Sequence, residues 1–329
     1  MIQYPRKIKI MTALAWDYHR SGWNYSLAHL ESLHVNYGVA FYGWADRVLD
    51  GLANIGRVPQ TITEPFVGFF HHTPYHKVPT NYMKKYGGYD LNTLIRSKSW
   101  RDSESNCLGI FVLSEYVANW LRTKTHVKVN VLMLPTETPD LVFSYDKFVA
   151  NKYKKIICAG NWMRNYESFF KLSVDGYAKW LLGADLPDER EYEYVYQLKL
   201  KNNDKQRHVG VMPFLSNDMY DELLSENVVF CDLFDASANN LVIECIARTT
   251  PIAVNPVGGI PEYLGSSYPL YCSSTQEAED KLHDMDLLLK AHEYLKALDV
   301  RPKLTGDYFL ESFVKSEIYL SLPKSFKIL

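Results

Sequence analysis

The sequence predicts an α/β protein of two lobes, each a parallel sheet with helices on both faces, with a cleft between them. Three observations carry this. Short apolar runs alternate with helix-length segments along the chain, the rhythm of consecutive βαβ units. The rhythm breaks at PTETPDLVFSYD, around Thr136 to Asp146, and restarts at KKIICAG. The length of 329 residues is generous for one domain and comfortable for two.

In the first lobe, residues 1–150, the segments IKIMTALAW, YGVAFYGW, FVGFF, LGIFVL and VNVLML read as buried strands. SLAHLESLHV and EYVANWLRT read as helices between them, the second with Ser114 as its expected cap. In the second lobe, residues 151–329, KKIICAG is a strand and ESFFKLSVDGYAKWL a helix. EYEYVYQLKLK sets Tyr192, Tyr194, Tyr196, Leu198 and Leu200 on one face and reads as a half-buried strand. NVVFCDLF, LVIECIART and TPIAVNP follow as strand, helix and strand, and DYFLESFVKSEIYLSL is helical.

Composition narrows the function. Hydrophobic residues are 47% and charged residues 22%, as a packed globular chain requires. The net charge is -2, so no basic field exists to hold a nucleic acid. The 24 tyrosines offer platforms for sugars or nucleobases, because an aromatic ring brings an apolar face and a polar tip. The five cysteines include no CxxC pair, which argues against a disulfide framework or zinc site and for a reducing compartment. The start, RKIKIMTALAW, reads as a first strand rather than a signal peptide, since Lys7 and Lys9 interrupt it. No apolar run reaches 18 residues, so no membrane-spanning helix is expected. The expected location is cytoplasmic; a peripheral membrane contact stays open.

The most informative stretch is Asp235 to Gly265, DASANNLVIECIARTTPIAVNPVGGIPEYLG. A loop of small residues gives way to a helix at Asn239 and Asn240, where free backbone N–H groups and the positive helix end suit a phosphate. Glu244 follows among apolar neighbours in LVIECIA, so its carboxylate needs a partner, for which a ribose hydroxyl pair would serve. Gly258 and Gly259 allow close backbone approach to a ligand or form an ordinary turn.

This stretch resembles the signature of retaining GT-B glycosyltransferases of family 4, through Glu244, Ala247, Pro251-Ile252 and Gly258-Gly259-Ile260-Pro261-Glu262. The resemblance implies a GT-B fold, with the final helix, about 307–322, crossing back onto the first lobe through Phe309, Phe313, Ile318 and Leu320. It implies that Glu244 holds the nucleotide ribose and that Ser237 to Leu241, including Asn239 and Asn240, holds the diphosphate and sugar. The family carries a further Glu where this chain has Ala236, so either Asp235 takes that role or the sugar is held differently. In AGNWMRN, Gly160 is kept, Asn161 stands where the family has Arg, and Arg164 is the cation to offset charge on the departing diphosphate. Lys171 is an accessory cation or a surface lysine. In FVGFFHHTPYHKVP, His71 and His72 point to opposite sides; His72 is taken as the counterpart of the family's first-lobe histidine near the donor sugar. Gly22, in SGWNYS, takes the place of the family's glycine-rich first loop or forms a structural turn.

The implied activity is transfer of a sugar from a nucleoside-diphosphate donor, UDP or GDP, to a hydroxyl of a glycan or other acceptor. Retention is expected, with no cofactor and no metal; His72 and His76 lack a carboxylate or Cys partner for one. No paired carboxylates stand out as a glycosidase dyad, and no GxGxxG marks a nicotinamide enzyme. The alternatives are a sugar-nucleotide epimerase or hydrolase on the same fold and a degenerate, non-catalytic binding domain.

Overall fold

Among the described residues, ten strands form two five-stranded sheets in which every pairing is parallel. The computed structural model describes residues 6–11, 22–52, 58–76, 90–183, 197–198, 201 and 208–324. It divides into two units. The first is Met1–Glu137, Asp235–Ala238 and Pro302–Leu329; the second is Thr138–Phe234 and Asn239–Arg301.

The first unit runs β1 (Ile8–Ile10), α1 (Trp23–Leu30), β2 (Val39–Tyr42), α2 (Ala45–Leu49), β3 (Phe66–Phe69), α3 (Leu91–Arg96), α4 (Lys98–Ser103), β4 (Cys107–Val112), α5 (Glu115–Arg122) and β5 (Val129–Val131). The strands lie in chain order across the sheet. Successive side chains alternate between its faces. Ala40, Phe66, Ile110, Val112 and Val129 join Ala45, Leu49, Leu94, Trp100, Val117 and Leu121 in one buried cluster beneath α2 to α5. Ser114 precedes α5, but its hydroxyl makes no capping bond, contrary to the expectation that it caps the helix. The Oγ is buried without a hydrogen-bond partner among the described residues.

The second unit runs α6 (Tyr145–Ala150), β6 (Lys155–Ala159), α7 (Tyr166–Lys171), β7 (Ala178–Leu182), β8 (Val209–Met212), α8 (Asn217–Ser225), β9 (Val228–Cys231), α9 (Asn240–Arg248), β10 (Ile252–Val254), α10 (Ile260–Leu264), α11 (Thr275–His283) and α12 (Met285–Lys296). The sheet order is β10-β9-β6-β7-β8, so the winding reverses between β6 and β9. In such sheets ligands bind outside the carboxyl ends of the strands at this reversal. The division between units falls at Glu137, not near residue 150. The reason is that the segment leading into α6 is tied to the second unit, with Phe143 N–H donating to Arg248 O at 2.8 Å and Ser144 N–H to Ser225 O at 2.9 Å.

Two element assignments change. The expected helix ESFFKLSVDGYAKWL stops at Lys171, and AKWLL is strand β7. Gly176 makes the turn with φ +83°, and buried Lys179 donates to the carbonyls of Phe169, Phe170 and Leu172 at the end of α7. In the expected strand EYEYVYQLKLK, Gln197, Leu198 and Lys201 are helical, in keeping with the helix propensity of Leu, Lys and Gln; the rest of that segment lies outside the described residues.

The chain then returns to the first unit as α13 (Gly306–Lys315) and α14 (Glu317–Ser321), two helices broken at Ser316 rather than one. Phe309 and Phe313 share one face of α13. Phe313 packs on Phe41 and Phe111 at 5.7 and 5.0 Å between ring centroids, and Phe309 meets Trp23 at 6.1 Å. These contacts cover the sheet face opposite α2 to α5. A Cβ on Gly109 would fall 2.6 Å from Ile318, so the absent side chain makes room for α14. Burying a Phe such as Phe313 contributes roughly 2–3 kcal/mol.

Candidate functional site at the strand ends

In the second unit the loop after β6 carries Gly160, Asn161 and Arg164. Gly160 has φ +77°, and a Cβ there would lie 3.0 Å from Arg164 Nη2. Glycine thus serves both the turn and the space that the guanidinium needs. Arg164 is buried. Its Nε donates to Ala159 O at 3.1 Å, Nη1 to Trp162 O at 3.0 Å and Nη2 to Asn239 Oδ1 at 3.2 Å. Asn239 Oδ1 also accepts from Val242 N–H at 3.2 Å as the N-cap of α9. One side-chain oxygen therefore joins the only cation of the loop to the positive end of a helix. Asn161 is half-buried, with its carbonyl accepting from Arg164 N–H at 3.3 Å. Asn240 is exposed, and the Leu241 side chain is buried.

The loop after β9 is bound to this one. Asn165 N–H donates to Asp232 O at 2.9 Å, Asn165 Nδ2 to Asp232 Oδ2 at 2.8 Å, and Phe234 N–H to Met163 O at 3.0 Å. Burial raises the Asp232 carboxyl above its ordinary value, against hydrogen bonds from Ser168 and Asn165. Both loops sit at the carboxyl ends of β6 and β9, where the winding reverses.

Glu244 lies on α9 and is buried, as its apolar neighbours imply. Its partner is Tyr220 on α8, whose hydroxyl donates to Oε2 at 2.6 Å. Burial, then Glu244 itself, pushes the Tyr220 phenol well up, so it stays protonated and donating. Behind this pair, Arg248 Nε reaches Asp221 Oδ1 at 2.7 Å in a buried ion pair. Lys171 is exposed and pairs with Glu167 at 3.1 Å, which makes it a surface residue.

Asp235 and Ser237 are grouped with the first unit. Asp235 is buried, with Oδ2 accepting from Tyr116 OH at 2.9 Å and Oδ1 from Ala236 N–H at 2.8 Å. The Ser237 hydroxyl is buried with no hydrogen-bond partner among the described residues. His72 is buried at the end of β3, its Nδ1 3.8 Å from Asp50 Oδ2 and 4.0 Å from Asp46 Oδ2. Asp46 accepts from the backbone N–H of both His71 and His72, at 2.6 and 2.8 Å. Burial works against the Asp46 charge, yet the neighbouring histidines and these N–H groups hold its carboxyl below the usual range. His71 stacks on Trp44 at 4.2 Å and takes the other side of the strand from His72. Gly22, with φ +81°, heads α1 and accepts from Ser26 N–H and Oγ. Its neighbour Trp23 meets His71 edge-on at 4.7 Å, so Gly22 and the two histidines share one strand-end region.

Sequence reading missed Tyr220, Tyr116 and Asp232. Only Asp232 left a trace, as a carboxylate directly after the buried run VVFC. All five cysteines are free and buried. Among the described residues no group of three or more His, Cys, Asp and Glu is arranged to hold a metal, and no helix is long and apolar enough to cross a membrane.

No protein-family model matches the sequence, and no curated protein does. Solved structures do match. Staphylococcus aureus TarM, crystallised with fondaparinux, α-GlcNAc-glycerol and UDP, aligns with TM-score 0.59 at 11% identity over 90% of this chain. This chain spans 58% of TarM's length. Anabaena HepE in complex with UDP and glucose aligns with TM-score 0.60 at 10% identity, over 88% of this chain and 78% of HepE. Sucrose-phosphate synthase from Thermosynechococcus elongatus aligns with TM-score 0.60 at 13% identity, over 76% and 66%. The chain has the two-sheet α/β GT-B fold of these proteins.

Proposed function

We propose that this chain is a glycosyltransferase that moves a sugar from a nucleoside-diphosphate donor, UDP- or GDP-linked, to a hydroxyl of a glycan or other acceptor. The observation that carries the reading is the joining of Arg164 to the N-cap of α9 at the point where the second sheet reverses. A guanidinium and a helix N-terminus are both groups that proteins use to hold a diphosphate, and here one asparagine oxygen links them. Glu244, one turn into the same helix and fixed by Tyr220, is assigned to the ribose. Charge on the leaving diphosphate is offset by Arg164 and the α9 amides, so the reaction needs no metal. Retention of anomeric configuration follows from the resemblance to family 4. Solved structures of the same fold hold UDP, as TarM and HepE do, which supports the donor class.

A binding-only domain is the second reading. In its favour, Arg164 directs three donors at Ala159, Trp162 and Asn239, and so already serves the protein. Thermal shift with UDP-glucose, UDP-GlcNAc, GDP-mannose, UDP and GDP, with and without EDTA, tests donor binding. One ligand at a hundred times its dissociation constant stabilises by about 2.7 kcal/mol. No shift with any of them at millimolar concentration would remove the reading. Release of free nucleotide only when an acceptor is present separates a transferase from both a hydrolase and a binding domain.

A further inference from the structure

The second unit carries a groove of about 590 Å³ that the donor reading does not use. Leu141, Lys147 and Ala150 line it from α6 and the segment leading into that helix, and Asp218, Glu222 and Glu226 from α8 and its C-cap. Asn151, shortly before β6, donates from Nδ2 to the carbonyl of Glu226, shortly before β9, at 3.3 Å. One end of the groove therefore lies at the amino ends of these two strands, whereas the donor loops follow their carboxyl ends.

Three features indicate what fills it. The first is apolar surface left in water. Leu141 is 41% exposed, and Val142 and Val149, the chain neighbours of Leu141 and Ala150, are 52% and 49% exposed. The second is a row of like charges. Asp218, Glu222 and Glu226 recur every four residues, a rise of about 6 Å per step along one side of α8. Carboxylates at that spacing repel one another, and the helix dipole disfavours those at its carbonyl end, where Glu222 and Glu226 stand. The third is the lack of an internal answer to that charge. None of the three makes an ion pair among the described residues, and Lys147 is the one cation among the lining residues.

A groove of this charge takes a cationic occupant. An anionic lipid surface would be repelled by the carboxylates, and a small cation would leave Leu141 in water. We infer that the groove docks a basic amphipathic helix of a partner protein. Its apolar stripe lies on Leu141 and Ala150, and its Lys or Arg side chains, one turn apart, face Asp218, Glu222 and Glu226. The inference goes beyond the donor reading and does not rest on it.

The test uses the full chain and a fluorescein-labelled peptide of two Leu-Lys-Lys-Leu-Leu-Lys-Leu repeats, read by fluorescence anisotropy. The same peptide with Glu for every Lys is the control. The basic peptide binds saturably and the acidic one does not. Asp218→Lys/Glu222→Lys weakens the basic peptide by about tenfold or more, and Asp218→Asn/Glu222→Gln, which keeps the shape, by about threefold. Leu141→Asn weakens it about threefold, through lost apolar contact. Asp286→Lys/Glu293→Lys makes the same change of charge at exposed positions of α12 and leaves binding within about twofold. Thermal melts verify that each variant is folded. No saturable binding, an equal loss in the α12 variant, or binding retained by Asp218→Lys/Glu222→Lys overturns the inference. A dimer in sedimentation velocity that Asp218→Lys/Glu222→Lys dissociates would give the groove to a second copy of this chain and overturn it too. So would tight binding to phosphatidylglycerol vesicles that Leu141→Asn abolishes.

Discussion

Arg164→Ala separates a phosphate contact from a brace. The wild-type guanidinium makes three hydrogen bonds, at 3.1, 3.0 and 3.2 Å, from a buried position. Taking about 1.5 kcal/mol for each charge-assisted bond, truncation costs roughly 4.5 kcal/mol of stability, in the range for stripping one partner from a buried charge network. Arg164→Lys keeps the charge but loses the planar fork, and should recover about half. Denaturant melts measure this as a lower midpoint at constant slope. The binding arm compares UDP with uridine by calorimetry, at a denaturant-free temperature where both variants are folded. Losing one guanidinium–diphosphate interaction should weaken UDP by about 10- to 100-fold, or ~1.4–2.8 kcal/mol, and leave uridine unchanged. If uridine and UDP weaken equally, or neither does, Arg164 only holds the loop and the diphosphate lies elsewhere.

Glu244→Gln keeps the side-chain shape but removes the charge that meets Tyr220 and, on the reading above, the ribose. Nucleotide binding should weaken by about 1.5–3 kcal/mol with uridine and UDP affected alike, measured by the same calorimetry. Unchanged uridine affinity would remove Glu244 from the site. Burial lowers both His71 and His76 to about 4, so the unfolded chain binds more protons than the folded one between about pH 4 and 6.5. Stability therefore rises with pH through that window and levels off above it, by up to about 3 kcal/mol per ring. Asp46, held low, adds its own loss only at more acid pH. Melting temperature against pH should show the slope, and His71→Phe/His76→Phe should flatten it; an equal slope in the variant would disprove the assignment.

The strands were legible because a parallel sheet buries both faces, and runs such as KIICA, VVFC and IAV are apolar throughout. Strand β7 was not, because its Lys179 reads as a helix-surface lysine until the carbonyl end of α7 is placed above it. The Asp175-Gly176 pair was the available warning of a turn there. At the site, the burial of Glu244 followed from its neighbours, but its partner Tyr220 stands 24 residues away and only the fold brings them together. The same holds for Tyr116 and Asp235, at a separation of 119. Local sequence names the groups that must be satisfied; it does not name what satisfies distant ones. Arg164 was legible as a cation at a strand end, whereas its tie to Asn239 was not.

The return of the chain beyond Pro302 also sets an order of events during synthesis. Everything between Thr138 and Phe234, and between Asn239 and Arg301, is translated before α13 and α14. The first sheet meanwhile has one face covered by α2 to α5 and the other, with Phe41 and Phe111, still waiting for Phe313. The first unit therefore cannot be completed until the chain beyond Pro302 is made, in contrast to the usual N-terminal-first order. Until α13 is made, Phe41 and Phe111 lack the ring that packs on them in the folded chain.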